Sequence, residues 1–257
     1  MNAFGKTLCV AAMGAGLAAP GLGDDIQKAI LGKPDTRFQI DSRLGLGGND
    51  KGTETCAGNV ILKFKYPTGK HFGMWGFVNA PWKEIHSPKG GNSGLGDVTL
   101  GAGPRGNFNI GEGEVNWLSY GGLTLPTGDY KDGVPLGNGR ADTNTGAYAT
   151  WMPKSKNYEI DAALERKFTD NNWKGINPPD EWSGGLMFGK KIGDFRCGIG
   201  VNGTRKDNGD YQCGVRGTAR YIPKGSRWHY EISGDYGIGS RNMPKNYGIS
   251  FRARCNI

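Results

Sequence analysis

The side chains able to do chemistry in this chain are charged, and they recur at every second or fourth residue. Arg37, Asp41 and Arg43 open one such run, and Arg216 with Arg220 forms another. His229, Glu231 and Asp235 make a third, and Arg252 with Arg254 a fourth. Even spacing puts each run on one face of an extended strand. Folded as antiparallel neighbours, Arg216 and Arg220 face Glu231 and Asp235, which in turn face Arg252 and Arg254. The last pair meets Arg37, Asp41 and Arg43 if the sheet closes on itself. Opposite charges on adjacent strands pair across a wall. Two compatible roles follow: a salt-bridge ladder that stiffens a closed barrel, and a charged constriction that selects permeants. The excess of arginine favours anions or dipolar solutes over cations.

Catalysis has little to work with. The chain holds three histidines: His71 beside a short turn, His86 in a loop, and His229 on the polar face of a late strand. A hydrolase needs a hydroxyl within reach of a histidine that a third group orients. Glu231 lies on the same face as His229, with Ser233 and Ser250 as candidate hydroxyls. There is no H-E-x-x-H, G-x-S-x-G or P-loop motif. No catalytic residue, metal or cofactor is expected. An outer-membrane enzyme acting on lipids stays open as an alternative, as does a structural barrel with a blocked lumen.

The elements that must position these charges are strands. Val60, Leu62, Phe64 and Tyr66 alternate with Lys63 and Lys65; Tyr158, Ile160, Ala162 and Leu164 alternate with Glu159, Asp161 and Glu165. Trp228, Tyr230, Ile232 and Tyr236, then Ile249, Phe251, Ala253, Cys255 and Ile257, repeat the pattern. Polar on one face and apolar on the other, strand after strand, marks a wet lumen inside a lipid-facing wall. About twelve strands are expected, near 37–46, 58–66, 73–81, 95–104, 115–125, 145–152, 158–168, 184–192, 195–203, 212–222, 228–237 and 247–257. Short turns alternate with longer polar loops such as 126–144 and 169–182, so an all-β transmembrane barrel with both termini periplasmic is expected.

Composition agrees. Glycine supplies 46 residues, hydrophobic residues only 36% and aromatics 11%. A soluble domain of this length needs a larger apolar core, and a disordered chain has fewer aromatics. A soluble β-sandwich remains the rival at the level of fold. The net charge of +8 is spread along the chain, and no nucleic-acid motif accompanies it, so no nucleic-acid partner is expected. Basic loops against lipopolysaccharide phosphates, or a lumen favouring anions, account for it. The tryptophans Trp75, Trp82, Trp117, Trp151 and Trp228, with Tyr66, Tyr120, Tyr148, Tyr221 and Tyr247, are expected in interfacial girdles. Trp173 and Trp182 flank a loop.

Residues 1–23 read as a signal peptide: Lys6 precedes a small apolar run, and Gly21 and Gly23 suit a cut before Asp24. Residues 24–36 form a periplasmic leader or short helix, and residues 37–257 the barrel. No later stretch approaches the apolar length of a membrane helix. The expected location is the outer membrane, with outer-membrane lipid, lipopolysaccharide, a small-molecule permeant and, during insertion, the barrel-assembly machinery as partners. Beyond the signal peptide lie Cys56, Cys197, Cys213 and Cys255. The strand map puts Cys56 and Cys255 at opposite ends of the wall, and likewise Cys197 and Cys213, so neither pair is expected to bond.

Two segments add a family resemblance. The stretch from Ser93 through Gly94, Gly96 and Asp97 to Gly101, and that from Gly121 through Pro126, Thr127, Gly128 and Asp129 to Tyr130, resemble the "GLGD" strand and the following "lPTGD" strand end of an outer-membrane family. That family is labelled MetA-pathway of phenol degradation. The resemblance implies a small barrel for uptake of hydrophobic or aromatic compounds. Taken by themselves, Pro126 to Asp129 read as a turn ending a strand, with a ligand gate as the sharper alternative. A closed barrel leaves no sheet edge for detergent to enter. Unboiled protein is therefore expected to run faster than boiled protein in SDS gels, and identical migration in the two lanes would refute the barrel.

Overall fold

The computed structural model describes residues 38–68, 71–129, 134–137, 139–169 and 178–257. The expected signal peptide, the leader and Arg37 lie outside them, as does Trp173. Among the described residues every regular element is a strand. They are β1 (Phe38–Asn49), β2 (Glu54–Pro67), β3 (Phe72–Ser87), β4 (Gly90–Leu95), β5 (Val98–Ile110), β6 (Gly113–Leu125), β7 (Asp142–Pro153), β8 (Tyr158–Thr169), β9 (Glu181–Ile192), β10 (Phe195–Lys206), β11 (Tyr211–Tyr221), β12 (Trp228–Arg241) and β13 (Asn246–Asn256).

Each strand pairs antiparallel with its neighbours in sequence, save that β4 and β5 both pair with β3 and not with each other, and β1 pairs with both β2 and β13. That last pairing runs from Gln39 opposite Asn256 to Asn49 opposite Asn246, so the ring closes along nearly the whole of β1. β4 and β5 share one partner: β4 covers Trp82 to Ser87 of β3, and β5 covers Phe72 to Asn79. They count as one broken stave, and the wall has twelve. The expected strand at 95–104 is thus divided at Gly96-Asp97. His86, expected in a loop, lies on β3, where Nε2 meets Glu84 Oε1 at 3.1 Å. Residues 82–95 carry mixed polarity because this hairpin runs on past the apolar belt, so no clean alternation marks it.

The two ends of the barrel differ. At the end holding both described termini the turns are tight, such as 111–112 and 193–194, where Gly111 and Gly193 have φ of 55° and 61°. These left-handed angles suit glycine. The opposite end carries the long connections 126–141 and 170–180. Period two then sorts the side chains. Leu62, Phe64, Phe188, Ile199, Ile232 and Phe251 stand exposed on the outer wall. Asp41, Lys63, Glu159, Arg220, Glu231 and Arg252 are buried within. An apolar exterior over a charged interior is the arrangement of a barrel whose solvent outside is lipid.

Two expectations meet different fates. Cys56, Cys197, Cys213 and Cys255 form no disulfide with one another, as expected. The girdle reading fails for Trp75, Tyr120 and Tyr148, which are 2 to 3% exposed and packed together inside the barrel. Inward and outward faces alternate, so a one-residue shift in phase separates a girdle ring from a lumen ring. These rings fit because the facing positions are glycine: a Cβ at Gly146 would sit 2.3 Å from the Tyr120 ring, and one at Gly101 2.6 Å from that of Phe77. Gly146→Val is expected to destabilise the barrel by about 1–3 kcal/mol through overpacking. Gly217→Val, where a Cβ meets nothing within 4 Å, serves as the control. Urea midpoints in detergent measure both.

Candidate functional site

The inner wall divides into three zones. The first is a charged network centred on two buried carboxylates. Asp41, on β1, receives Lys63 Nζ from β2 at 2.5 Å and Arg252 Nε from β13 at 2.5 Å. Arg254 Nε lies 3.4 Å away. Lys63 and Arg254 reach it because β1 lies between β2 and β13. Glu159, on β8, is held by both Arg196 and Arg220. Arg220 Nε also meets Glu231 at 3.4 Å and its Nη2 meets Asp161 at 3.8 Å, while Thr150 donates to Asp161 at 2.6 Å. Arg216 pairs with Asp235 at 2.5 Å, and Asn202 donates to the same oxygen at 3.1 Å. The network sits in a wall of backbone and side chains rather than in bulk water, so its fields are weakly screened. With Lys65 and Arg105 added, inward cations outnumber inward carboxylates here.

Aromatic rings make up the second zone. Trp75 stacks on Phe77 at 5.2 Å between centroids, Phe77 meets Tyr120 edge-on at 5.5 Å, and Tyr120 stacks on Tyr148 at 6.1 Å. Ile61 and Leu118 complete the cluster. Its polar tips are all engaged. Trp75 Nε1 donates to the Ser119 carbonyl at 3.0 Å, and both tyrosine hydroxyls donate to Glu165 Oε2, at 2.8 and 2.9 Å. The rings therefore present hydrocarbon, and the strands β3, β6 and β7 form an apolar sector beside the charged one.

The third zone is at the long-loop end, where the two family-like segments meet. Asp97 Oδ1 accepts from the Gly128 backbone N–H at 2.9 Å. The Thr127 hydroxyl donates to the Gly96 carbonyl at 3.0 Å and accepts from the Val98 N–H at 2.9 Å. Chain that would otherwise continue the β4–β5 stave is thereby tied to the end of β6. The loop then turns back: Leu136 N–H donates to the Asp129 carbonyl at 2.8 Å, and Lys83 Nζ donates to the Leu136 carbonyl at 3.1 Å. Leu136 is buried beside Gly94, whose Cβ would meet it at 3.0 Å. Pro126 and Asp129 are exposed.

The family "Putative MetA-pathway of phenol degradation" matches residues 32–253. The chain belongs to this family. Among solved structures, the fold is similar to the COG4313 outer membrane channel from Pseudomonas putida F1, with TM-score 0.74 and 16% identity over 88% of this chain and 99% of that one. It is also similar to the translocator domain of the autotransporter NalP from Neisseria meningitidis, with TM-score 0.54 and 11% identity over 91% and 94%. No curated protein sequence matches the chain. The family member described here is an antiparallel barrel of the outer membrane.

Sequence spacing located much of the charged zone. Arg216, Arg220, Glu231, Asp235, Arg252, Arg254 and Asp41 face inward, and the pairs Arg216–Asp235 and Arg220–Glu231 form as expected. Arg43 instead donates to Ser250 at 2.9 Å. His229 lies opposite Arg254 on β13. Ser233 and Ser250 hydrogen-bond one another at 2.7 Å, so the two candidate hydroxyls are already engaged. Spacing does not show the aromatic sector, nor the pairing of Glu159 with Arg196 over the intervening β9, since period two gives a face but not a partner beyond the adjacent strand.

Asp41 anchors three cations, each at most 5% exposed overall. Asp41→Asn is expected to destabilise the family member by about 3–5 kcal/mol, because it leaves buried cations uncompensated. Asp235→Asn, whose side chain is 26% exposed, is expected to cost roughly 1 kcal/mol or less. Urea unfolding in detergent compares the two, and equal losses would remove Asp41 as the anchor.

Proposed function

We propose that this family member is an outer-membrane channel that admits small molecules, aromatic compounds and anions among them, without catalysing their conversion. The observation that carries the reading is a closed barrel whose inner wall joins a cation-rich network to a sector of aromatic rings. A positive wall in a confined, low-dielectric space concentrates anions and repels cations. Ring faces offer apolar solutes a surface that water does not. The family's label concerns phenol degradation, and the similar Pseudomonas structure is described as a channel. Both descriptions agree with uptake of small molecules rather than with lipid hydrolysis.

The pore-lining residues in this reading are Asp41, Arg43, Arg216, Arg220, His229, Glu231, Asp235, Arg252 and Arg254, with Arg37 added from the sequence. Gly94, Gly96, Asp97 and the segment from Pro126 to Asp129 form the outer mouth. The proposed orientation places both termini in the periplasm, the tight turns facing inward and the long connections facing lipopolysaccharide. Residues 1–23 act as the export signal, and the barrel-assembly machinery inserts the chain. A second reading, a structural barrel with a blocked lumen, draws on Gln39, Lys63 and Glu159, each 0% exposed.

Planar-bilayer recording under a KCl gradient separates the two. The channel is expected to show a small conductance with a reversal potential on the chloride side. Arg254→Ser should weaken that preference while the barrel stays folded, because Arg254 is the most distant of the three cations around Asp41. A wild-type protein that carries no current, and lets no phenol-sized or anionic solute into liposomes, leaves only the blocked barrel.

A further inference from the structure

The inward cations near the tight-turn end are not all alike. Lys63, Arg252 and Arg254 share Asp41, and Arg196 and Arg220 share Glu159. Lys65 has no such partner. It is only 7% exposed, and its Nζ makes no hydrogen bond among the described residues. The charged groups around it are Arg105, Arg254 and Lys63, with Asp41 as the carboxylate, and Asp41 is already shared by three other cations. Arg105, half-buried on β5, also forms no hydrogen bond or ion pair among the described residues.

An ammonium withdrawn from water with nothing to receive its protons is costly, and a second cation beside it raises the cost. A wall built for stability alone gains nothing from that pair; an apolar residue at position 65 would serve it better. The pair makes sense if an anion visits. Its surroundings define the anion. Lys65 stands directly opposite Trp75 in the β2–β3 register, and Arg105 directly opposite Leu118 in the β5–β6 register. Trp75 stacks on Phe77, and its indole N–H is committed to Ser119. The wall beside the two cations therefore offers hydrocarbon and ring, with no further donor.

We propose that Lys65 and Arg105, backed by Trp75, Phe77 and Leu118, form a binding subsite for an aromatic carboxylate moving through the lumen. A carboxylate has two acceptor oxygens, one for the ammonium and one for the guanidinium fork. Its ring lies against the apolar sector, where offset and edge contacts between aromatics are favourable. A neutral phenol or alcohol of the same shape gains the ring contact but leaves both cations unpaired. A small ringless carboxylate pairs the cations but leaves the wall unused. The subsite thus selects for the two features together. The inference rests on the channel reading and narrows its substrate class.

Fluorine NMR line broadening on the folded protein in detergent micelles tests binding, with para-fluorobenzoate as probe. Para-fluorobenzyl alcohol and fluoroacetate are the neutral and ringless controls, and entry of the same three into liposomes reports passage. Para-fluorobenzoate is expected to bind most tightly. Lys65→Met and Arg105→Gln should each weaken it by about tenfold, the loss expected for one charge-assisted hydrogen bond. Neither should change retention of the alcohol. Lys65→Arg keeps the charge and should restore most of the affinity. Heat-dependent mobility in SDS gels checks the fold of each variant, and Lys65→Met is expected to fold at least as well as wild type because it removes a buried unpaired charge. If Lys65→Met and Arg105→Gln fold and bind para-fluorobenzoate as the wild type does, the subsite is wrong. The same holds if the wild type prefers the alcohol. Binding without passage of any probe would retain the subsite and discard the channel, whereas passage without preferential binding would do the reverse.

Discussion

Everything in this molecule depends on the seam between β1 and β13. In hydrocarbon an unpaired backbone N–H or C=O has no water to turn to, so a sheet can cross a membrane only if its first strand finds its last. The ladder from Gln39–Asn256 to Asn49–Asn246 provides this. The same seam brings Arg252 and Arg254 of β13 within reach of Asp41 on β1, and Lys63 of β2 comes in from the other side. Closure of the backbone and neutralisation of the buried Asp41 carboxylate are one event. A ladder of hydrogen bonds can slip by two residues and keep its facing; the cluster around Asp41 cannot, so the charges fix the register that the backbone alone leaves open.

The barrel was legible in the sequence because a membrane wall imposes a simple rule, lipid outside and polar groups inside, and side chains of a strand obey it with period two. The runs at Tyr158 to Glu165 and Trp228 to Tyr236 show it plainly, and their phase is the one seen in the fold. Legibility fails where the rule stops applying. Beyond the apolar belt, residues 82–95 have water on both faces, so β3 runs to Ser87 and β4 exists without a pattern to announce either. Inside the lumen, an aromatic ring obeys no outward preference. Trp75, Tyr120 and Tyr148 look like girdle residues by type, and only their phase relative to Lys63 and Lys65 reveals that they point in.

The candidate site shows the same division. Neighbour-to-neighbour pairs such as Arg216–Asp235 follow from spacing. Contacts that skip strands do not: Glu159 of β8 and Arg220 of β11 are 61 positions apart, with β9 and β10 between them. Their meeting depends on the curvature of the closed ring. The tie between Asp97 and Gly128 is intermediate. Its two segments are recognisable as motifs in the sequence, but their physical purpose, to fasten a loop to the place where one stave is broken, appears only once both are in space.

The four cysteines outside any disulfide carry a consequence for biogenesis. Cys197 and Cys213 sit on adjacent strands yet near opposite rims, both exposed on the outer wall, and Cys56 and Cys255 are similarly far apart along the barrel. Once folded, none can reach another. Before folding, all four travel through a compartment that oxidises thiols, where any two can meet on a slack chain. A crosslink made then would tie together points that the finished wall holds apart, and the ring could not shut. The chain therefore has a deadline: strand pairing must outrun oxidation, and lipid afterwards shelters on the outer face what haste preserved.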